Sequence, residues 1–156
     1  MYIHKHTLET QDKWYFDWVP LTCTLNKFEK ENSYSFVWGS EYYGLIAHTR
    51  SFIEHISKNS IIVELADVYV HTPYRNKGNG FLFLSKVIEK IYQTYNQSFP
   101  HHKIYLYLQV HKINEGALSL YRKLGFKFIS NISKFPKSMN KHLMNENEVY
   151  FMYFDG

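Results

Sequence analysis

Apolar positions along the chain change their period several times, and each change marks an element. Residues 35–39 and 43–52 are rich in aromatic and β-branched types, which predicts two strands of a hairpin turning at Gly39-Ser40-Glu41. Residues 61–70 form a nearly continuous apolar run interrupted by Glu64 and Asp67, the pattern of a central strand buried on both faces. After Pro73 the period becomes helical: Phe81, Leu84, Val87, Ile88, Ile91 and Tyr95 predict an amphipathic helix over 80–95. A strand over 104–110 follows. Ala117, Leu120, Tyr121 and Leu124 then predict a short second helix over 115–124, with Asn114 suited to cap its start and Gly125 its stop. Residues 126–132 and 149–154 read as closing strands. The first 34 residues are the least legible, with a candidate strand at 2–7 and one or two short helices broken at Pro20.

Strands before, between and after helices describe an α/β (α+β) layer architecture, and hairpins at both ends require a mostly antiparallel sheet. No repeat, low-complexity tract or Pro/Gly/Ser linker divides the 156 residues, so one domain over 1–156 is expected, long enough to bury roughly two-thirds of its unfolded surface. The formal charge of +4 is a weak field beside that of a dedicated nucleic-acid binder. Tyr105 and Tyr107 alternate on a strand as base-stacking platforms would, but serve equally as sheet packing. Cys23 is the single cysteine, which excludes an internal disulfide and a multi-thiolate zinc site and suits a reducing interior, by default the cytoplasm. No apolar run approaches the roughly 18 residues of a membrane span, and the polar first residues do not resemble a signal peptide.

Between the apolar run and the first helix lies Arg75-Asn76-Lys77-Gly78-Asn79-Gly80. A strand feeding a glycine-rich turn into a helix N-terminus presents unpaired N–H groups and the positive end of the helix dipole, an anion site suited to phosphate. Glycine at 78 and 80 permits positive φ and close approach, while Arg75 and Lys77 add charge at the rim. A Walker loop would need Gly-Lys-Ser/Thr, yet Gly80 precedes Phe81; a dinucleotide fingerprint would need a third glycine where Phe83 stands. On these residues alone, a glycine turn without a ligand remains the alternative.

The run from Val68 through Gly80 resembles the cofactor motif of the GNAT superfamily of N-acetyltransferases, Gln/Arg-x-x-Gly-x-Gly/Ala after a strand ending in an apolar triplet. A second family motif, Asn-x-x-Ala-x-x-Leu-Tyr-x-x-x-Gly-Phe, is met at Asn114, Ala117, Leu120, Tyr121, Gly125 and Phe126, with the strand-end apolar residue at Val110. The resemblance extends over residues 35–130 and implies the GNAT fold: a central, mostly antiparallel mixed twisted sheet of six or seven strands, splayed in the middle and flanked by about four helices. It also implies transfer of an acetyl group from acetyl-CoA to an amine. The pyrophosphate would sit on Arg75, Asn76, Lys77, Gly78, Asn79 and Gly80, and the triplet Val68, Tyr69 and Val70 would hold the pantetheine arm through backbone groups. The Val68 N–H would face the thioester carbonyl and Val70 would pair with a pantetheine amide. The N-terminal part is shorter than usual for the family, and that part often sets acceptor choice.

An alkylammonium has a pKa of about 10.4, so a base must remove its proton before attack on a thioester. Glu64 stands where the histone-acetylating branch carries its base; Asp67 faces the opposite side of a regular strand and would serve only if a bulge re-aimed it. The alternative for Glu64 is a carboxylate tied to a neighbouring Lys, Arg or Tyr. Tyr121 matches the tyrosine that protonates the departing thiolate, although it also lies on the apolar stripe of its helix. Asn114 matches the residue that hydrogen-bonds pantetheine and could equally be an N-cap. Acidic Glu41, Glu64, Asp67 and Glu115 would suit a cationic acceptor. His48, His71, His101, His102 and His111 lack metal-ligand spacing, so no metal is expected, though His71 and His111 could line the cofactor cleft. The expected partners are acetyl-CoA and an amine acceptor, with neither nucleic acid nor membrane, and the family implies a homodimer. A non-catalytic acyl-CoA-binding module is the competing reading, and the presence of both Glu64 and Tyr121 argues against it.

Overall fold

The computed structural model describes residues 2–7, 13–20, 34–40 and 44–156, with side chains described for 34–39, 46–139 and 143–156. Glu41 and Cys23 lie outside the described residues. The chain forms two compact units, Met1–Phe52 with Ala66–Ile91, and Ile53–Leu65 with Tyr92–Gly156.

In the first unit β1 (Tyr2–Thr7), β2 (Lys13–Pro20), β3 (Tyr34–Ser40) and the start of β4 (Gly44–Ile56) pair antiparallel in order. Of the stretch where one or two short helices broken at Pro20 were expected, residues 13–20 are a strand, and residues 8–12 and 21–33 lie outside the described residues. Lys13–Pro20 is a strand laid between Tyr2↔Trp18 on one side and Pro20↔Tyr34 on the other. Its run Trp-Tyr-Phe-Asp-Trp-Val is made of strand-forming types, and two neighbouring strands outweigh the helix-breaking reading of Pro20 at its end. The hairpin strands 35–39 and 43–52 are found as β3 and β4, with a register shift between Trp38 and Gly39.

β5 (Ser60–Val70) carries the predicted apolar run, and α1 (Asn79–Ser98) follows it, longer than the periodicity suggested. In the first unit the helix buries Phe83, Leu84, Val87, Ile88 and Ile91, and Phe83 stacks on Trp38 at 6.1 Å and 2°. Phe81 was expected on this stripe and is instead 45% exposed, with Leu82 at 44%. The buried face is centred on Phe83 and Val87, four residues apart, and Phe81 falls outside it.

In the second unit β5 and β6 (Lys103–His111) run parallel from Ser60↔Lys103 to Glu64↔Tyr107, the α1 crossover making parallel pairing possible. β8 (Val149–Phe154) pairs antiparallel with β6 on its other side, and β7 (Phe126–Phe128) pairs antiparallel with β8. The strand expected over 126–132 ends at Phe128. Asn131 then accepts the Ser133 N–H at 3.0 Å, and the chain enters two 3-10 turns, Ile132–Lys134 and Lys137–His142. Ile61, Val63, Leu65, Leu106, Leu108, Phe151 and Met152 form the core here.

The mixed α/β architecture that the sequence implied is found, with two α-helices, α1 and α2, among the described residues. No helix among them is long and apolar enough to cross a membrane.

α2 (Glu115–Leu124) has the boundaries the sequence predicted. The Asn114 side chain accepts the Ala117 N–H at 3.1 Å, Glu115 faces the positive end of the dipole, and Arg122 and Lys123 face the negative end. Gly125 ends the helix at φ 108, a left-handed conformation, with the Phe154 ring 3.5 Å from where a Cβ would stand. Gly125→Ala should therefore cost about 1–2 kcal/mol, read as a lower urea midpoint with an unchanged m-value.

Candidate active site

The first unit supplies a main-chain cradle. Beyond Val70, Pro73 starts a 3-10 turn over Thr72–Tyr74, closed by Tyr74 N–H to His71 O at 2.9 Å and Arg75 N–H to Thr72 O at 3.2 Å. The backbone then alternates hands, with Asn76 at φ 60 and Gly78 at φ 81, the zigzag that turns successive N–H groups into one concavity. Gly80, expected to share positive φ, is already inside the first turn of α1.

Leu82 N–H bonds Gly78 O at 3.2 Å, and the amides of Asn79, Gly80 and Phe81 before it have no acceptor within α1. No acidic side chain occupies the first turn of α1 to neutralise its dipole. Two side chains expected at the phosphate instead brace the loop. Asn79 Nδ2 donates to Tyr74 O at 2.9 Å, and Arg75 Nε donates to Val70 O at 2.6 Å while its guanidinium lies 5.1 Å from the Tyr69 ring centre. Lys77 is exposed at the rim. Tyr69 also stacks with His48 at 5.2 Å and meets the edge of His71 at 5.6 Å; burial, then the neighbouring Arg50, holds His48 below its ordinary value.

Asp67 adopts φ 55 inside β5, a bulge-like break after which Asp67 and Tyr69 become the exposed positions. The bulge turns Asp67 outward, where its carboxylate meets Arg50 at 3.5 Å with both side chains well exposed. A pair of that kind is worth about 0–1 kcal/mol.

The second unit holds the acid–base candidates. Tyr107 O–H and Gln109 Nε2–H both donate to Glu64 Oε2, at 2.8 and 2.7 Å, and Gln109 Oε1 in turn accepts the Met144 N–H at 2.7 Å. The parallel register Glu64↔Tyr107 creates this arrangement by placing Glu64, Tyr107 and Gln109 on one face. Glu64 is thus tied to a tyrosine, one of the partners the alternative reading named, and to an amide that the sequence reading did not single out. Tyr107 is 2% exposed, and burial, followed by the charge of Glu64, pushes its phenol far up, so it remains a proton donor to the carboxylate.

Tyr121 is 7% exposed, with its ring edge-on to Phe126 at 5.8 Å, and burial pushes its phenol up to about 12. It therefore holds its proton throughout the neutral range. Asn114 caps α2 through Oδ1, and Glu115 is an exposed first-turn residue of the same helix. Of the named histidines, His71, His101 and His111 are exposed, and His102 Nε2 meets Ser57 O at 3.1 Å. Among the described residues no three His, Cys, Asp or Glu side chains gather as metal ligands would.

The sequence model of the acetyltransferase (GNAT) family matches residues 2–126, four-fifths of the chain and both of its motif regions. The chain belongs to the acetyltransferase (GNAT) family. A search of curated proteins finds no significant match. Solved structures share the fold at low identity. A GNAT acetyltransferase of Staphylococcus aureus is 18% identical, with a TM-score of 0.58 over 79% of this chain and 68% of that one. Naa50 of Arabidopsis thaliana, bound to the bisubstrate analogue CoA-Ac-MVNAL, is 19% identical, with a TM-score of 0.53 over 78% and 72%. A spermidine N-acetyltransferase chimera from Vibrio cholerae is 16% identical, with a TM-score of 0.54 over 78% and 64%.

The raised Tyr121 value has a measurable consequence. A folded pKa above the unfolded value of 10.0 gives stability that is complete below about pH 10 and is lost as pH climbs towards about 12. Between those limits Tyr121→Phe should remove up to about 3 kcal/mol of alkaline destabilisation. Urea titrations across this window should show the variant gaining stability relative to wild type by that amount as pH rises.

Proposed function

We propose that this GNAT-family chain is a single acetyltransferase domain over 1–156 that transfers an acetyl group from acetyl-CoA to a primary amine by direct attack in a ternary complex. The observation that carries the reading is the alternating-hand loop Asn76–Gly78 feeding α1, whose amides and uncompensated helix dipole suit a pyrophosphate. β4, β5 and α1 each run through both compact units, which supports one domain. Lys77 adds charge at the rim, Gly78 allows the φ 81 turn, and Arg75 and Asn79 keep the loop in shape. Backbone groups of Val68, Tyr69 and Val70 hold the pantetheine arm. The Val70 carbonyl also accepts from Arg75 Nε, which fixes the strand end against the loop.

In the reaction, Glu64 takes a proton from the ammonium, directly or through water, and the neutral nitrogen attacks the thioester carbonyl carbon. The N–C bond forms while the Val68 N–H stabilises the oxyanion. The C–S bond then breaks, its electron pair leaves on sulfur, and Tyr121 supplies the proton that makes the thiol. Burial both keeps that proton on Tyr121 and makes it harder to release, so transfer is favoured to a thiolate that is itself desolvated. Asn114 caps α2 and presents its Nδ2 to pantetheine.

The test is release of free thiol from acetyl-CoA across an amine panel. Glu64→Gln and Tyr121→Phe should each lower kcat by about 10²–10⁴ while leaving CoA affinity within about threefold. Gly78→Asp should do the reverse, weakening CoA binding by at least about tenfold through strain and like charge. Tight CoA binding with no turnover on any amine would instead identify a binding module.

A further inference from the structure

The second unit contains a cavity of about 700 Å³ on which the catalytic reading places no demand. β6, β8 and the segment after β7 supply its aromatic walls, Tyr105, Tyr107, Tyr153 and Phe135, and Tyr107 and Phe135 meet at 5.0 Å. Such a size admits a small organic molecule, and flat apolar walls reward a flat apolar guest.

The charges in the lining are of one dominant sign. Lys103 and Lys134 line it, and Lys103 Nζ stands 4.9 Å from the Tyr105 ring centre. Its carboxylate, Asp155, is engaged by Lys127 Nζ at 2.6 Å. A guest carrying several ammonium groups would therefore bring like charges together with no carboxylate released to meet them. A guest with one amine and a neutral or anionic far end would not.

One wall residue of this cavity is bonded to the proposed base. Tyr107 belongs to its wall and donates to Glu64 Oε2 at 2.8 Å, so an amine lodged there lies one side chain from the carboxylate. The chain over 129–135 closes the cavity on the same side, and Gln109, the other donor to Glu64, accepts the Met144 N–H from the segment that follows.

From this geometry we infer that the amine acceptor is a monoamine on an aromatic or apolar body, bound in the Tyr105–Tyr107–Phe135–Tyr153 cavity, and that polycationic amines are excluded. The inference rests on the acetyltransferase reading and adds its substrate class. It departs from the expectation that acidic residues would draw a cationic acceptor: Asp67 is paired with Arg50, Glu115 belongs to the first turn of α2, and neither lines this cavity.

The experiment compares 2-phenylethylamine with spermidine as acceptors in thiol release, using the full chain, Tyr105→Ala and Lys134→Glu. Tyr105 is 47% exposed and Lys134 is exposed, so both variants should fold, which thermal unfolding checks. For the wild type, kcat/KM should favour phenylethylamine by at least about tenfold, a difference of about 1.4 kcal/mol. Tyr105→Ala should narrow that ratio at least about fivefold by removing an aromatic wall, and Lys134→Glu should narrow it by raising the spermidine value. Spermidine used as well as phenylethylamine by the wild type overturns the inference and leaves the acetyltransferase reading standing. A preference that neither variant alters overturns it as well. No thiol release with any amine overturns that reading and this inference with it.

Discussion

The mouth of α1, where the amides of Asn79, Gly80 and Phe81 have no acceptor within the helix, is the constraint around which the proposed chemistry is arranged. Such amides need another partner, and an anion at the helix mouth would supply one. Two residues with positive φ keep the amides turned to one side, and the dipole of a 20-residue helix adds to their field. The charged and polar side chains nearby stiffen this cradle. Arg75 anchors the loop to the end of β5 through Val70, and Asn79 ties the helix start to Tyr74.

A different logic governs the acid–base residues. Glu64 is held by a buried phenol and an amide, and the amide also receives a backbone N–H from the segment before β8. These bonds fix where the carboxylate points. Tyr121 owes its raised value to burial, its ring lying edge-on to Phe126, which in turn packs against Phe154 at 5.4 Å. One residue is positioned by hydrogen bonds and the other is kept protonated by burial, which suits the separate roles of base and acid proposed for them.

Local signals in the amino-acid sequence carried far where the physics is local. α2 was legible to the residue because a cap, a periodic stripe and a stop all lie within a dozen positions. The turn at Gly78 was legible for the same reason, as a glycine turn between two periodic segments. Failures arose where distant partners decide. Lys13–Pro20 is a strand because two other strands flank it, and Phe126–Phe128 ends early because the chain turns into 3-10 geometry capped by Asn131. Tyr107 and Gln109 meet Glu64 through a parallel register, and no pattern near any of the three announces it. The alternation Tyr105, Tyr107, Gln109 did place them on one face, which was the available hint. Phe81 shows the opposite error, a residue at helical spacing that nevertheless lies outside the buried stripe.

The most direct measurement is an amide-resolved NMR titration of the folded chain with CoA. A cradle formed by the loop and the start of α1 predicts saturable shifts concentrated at Asn76, Lys77, Gly78, Asn79, Gly80 and Phe81, with smaller effects on the strand before them. Spectra unchanged at millimolar CoA, or shifts scattered away from the start of α1, would contradict the account.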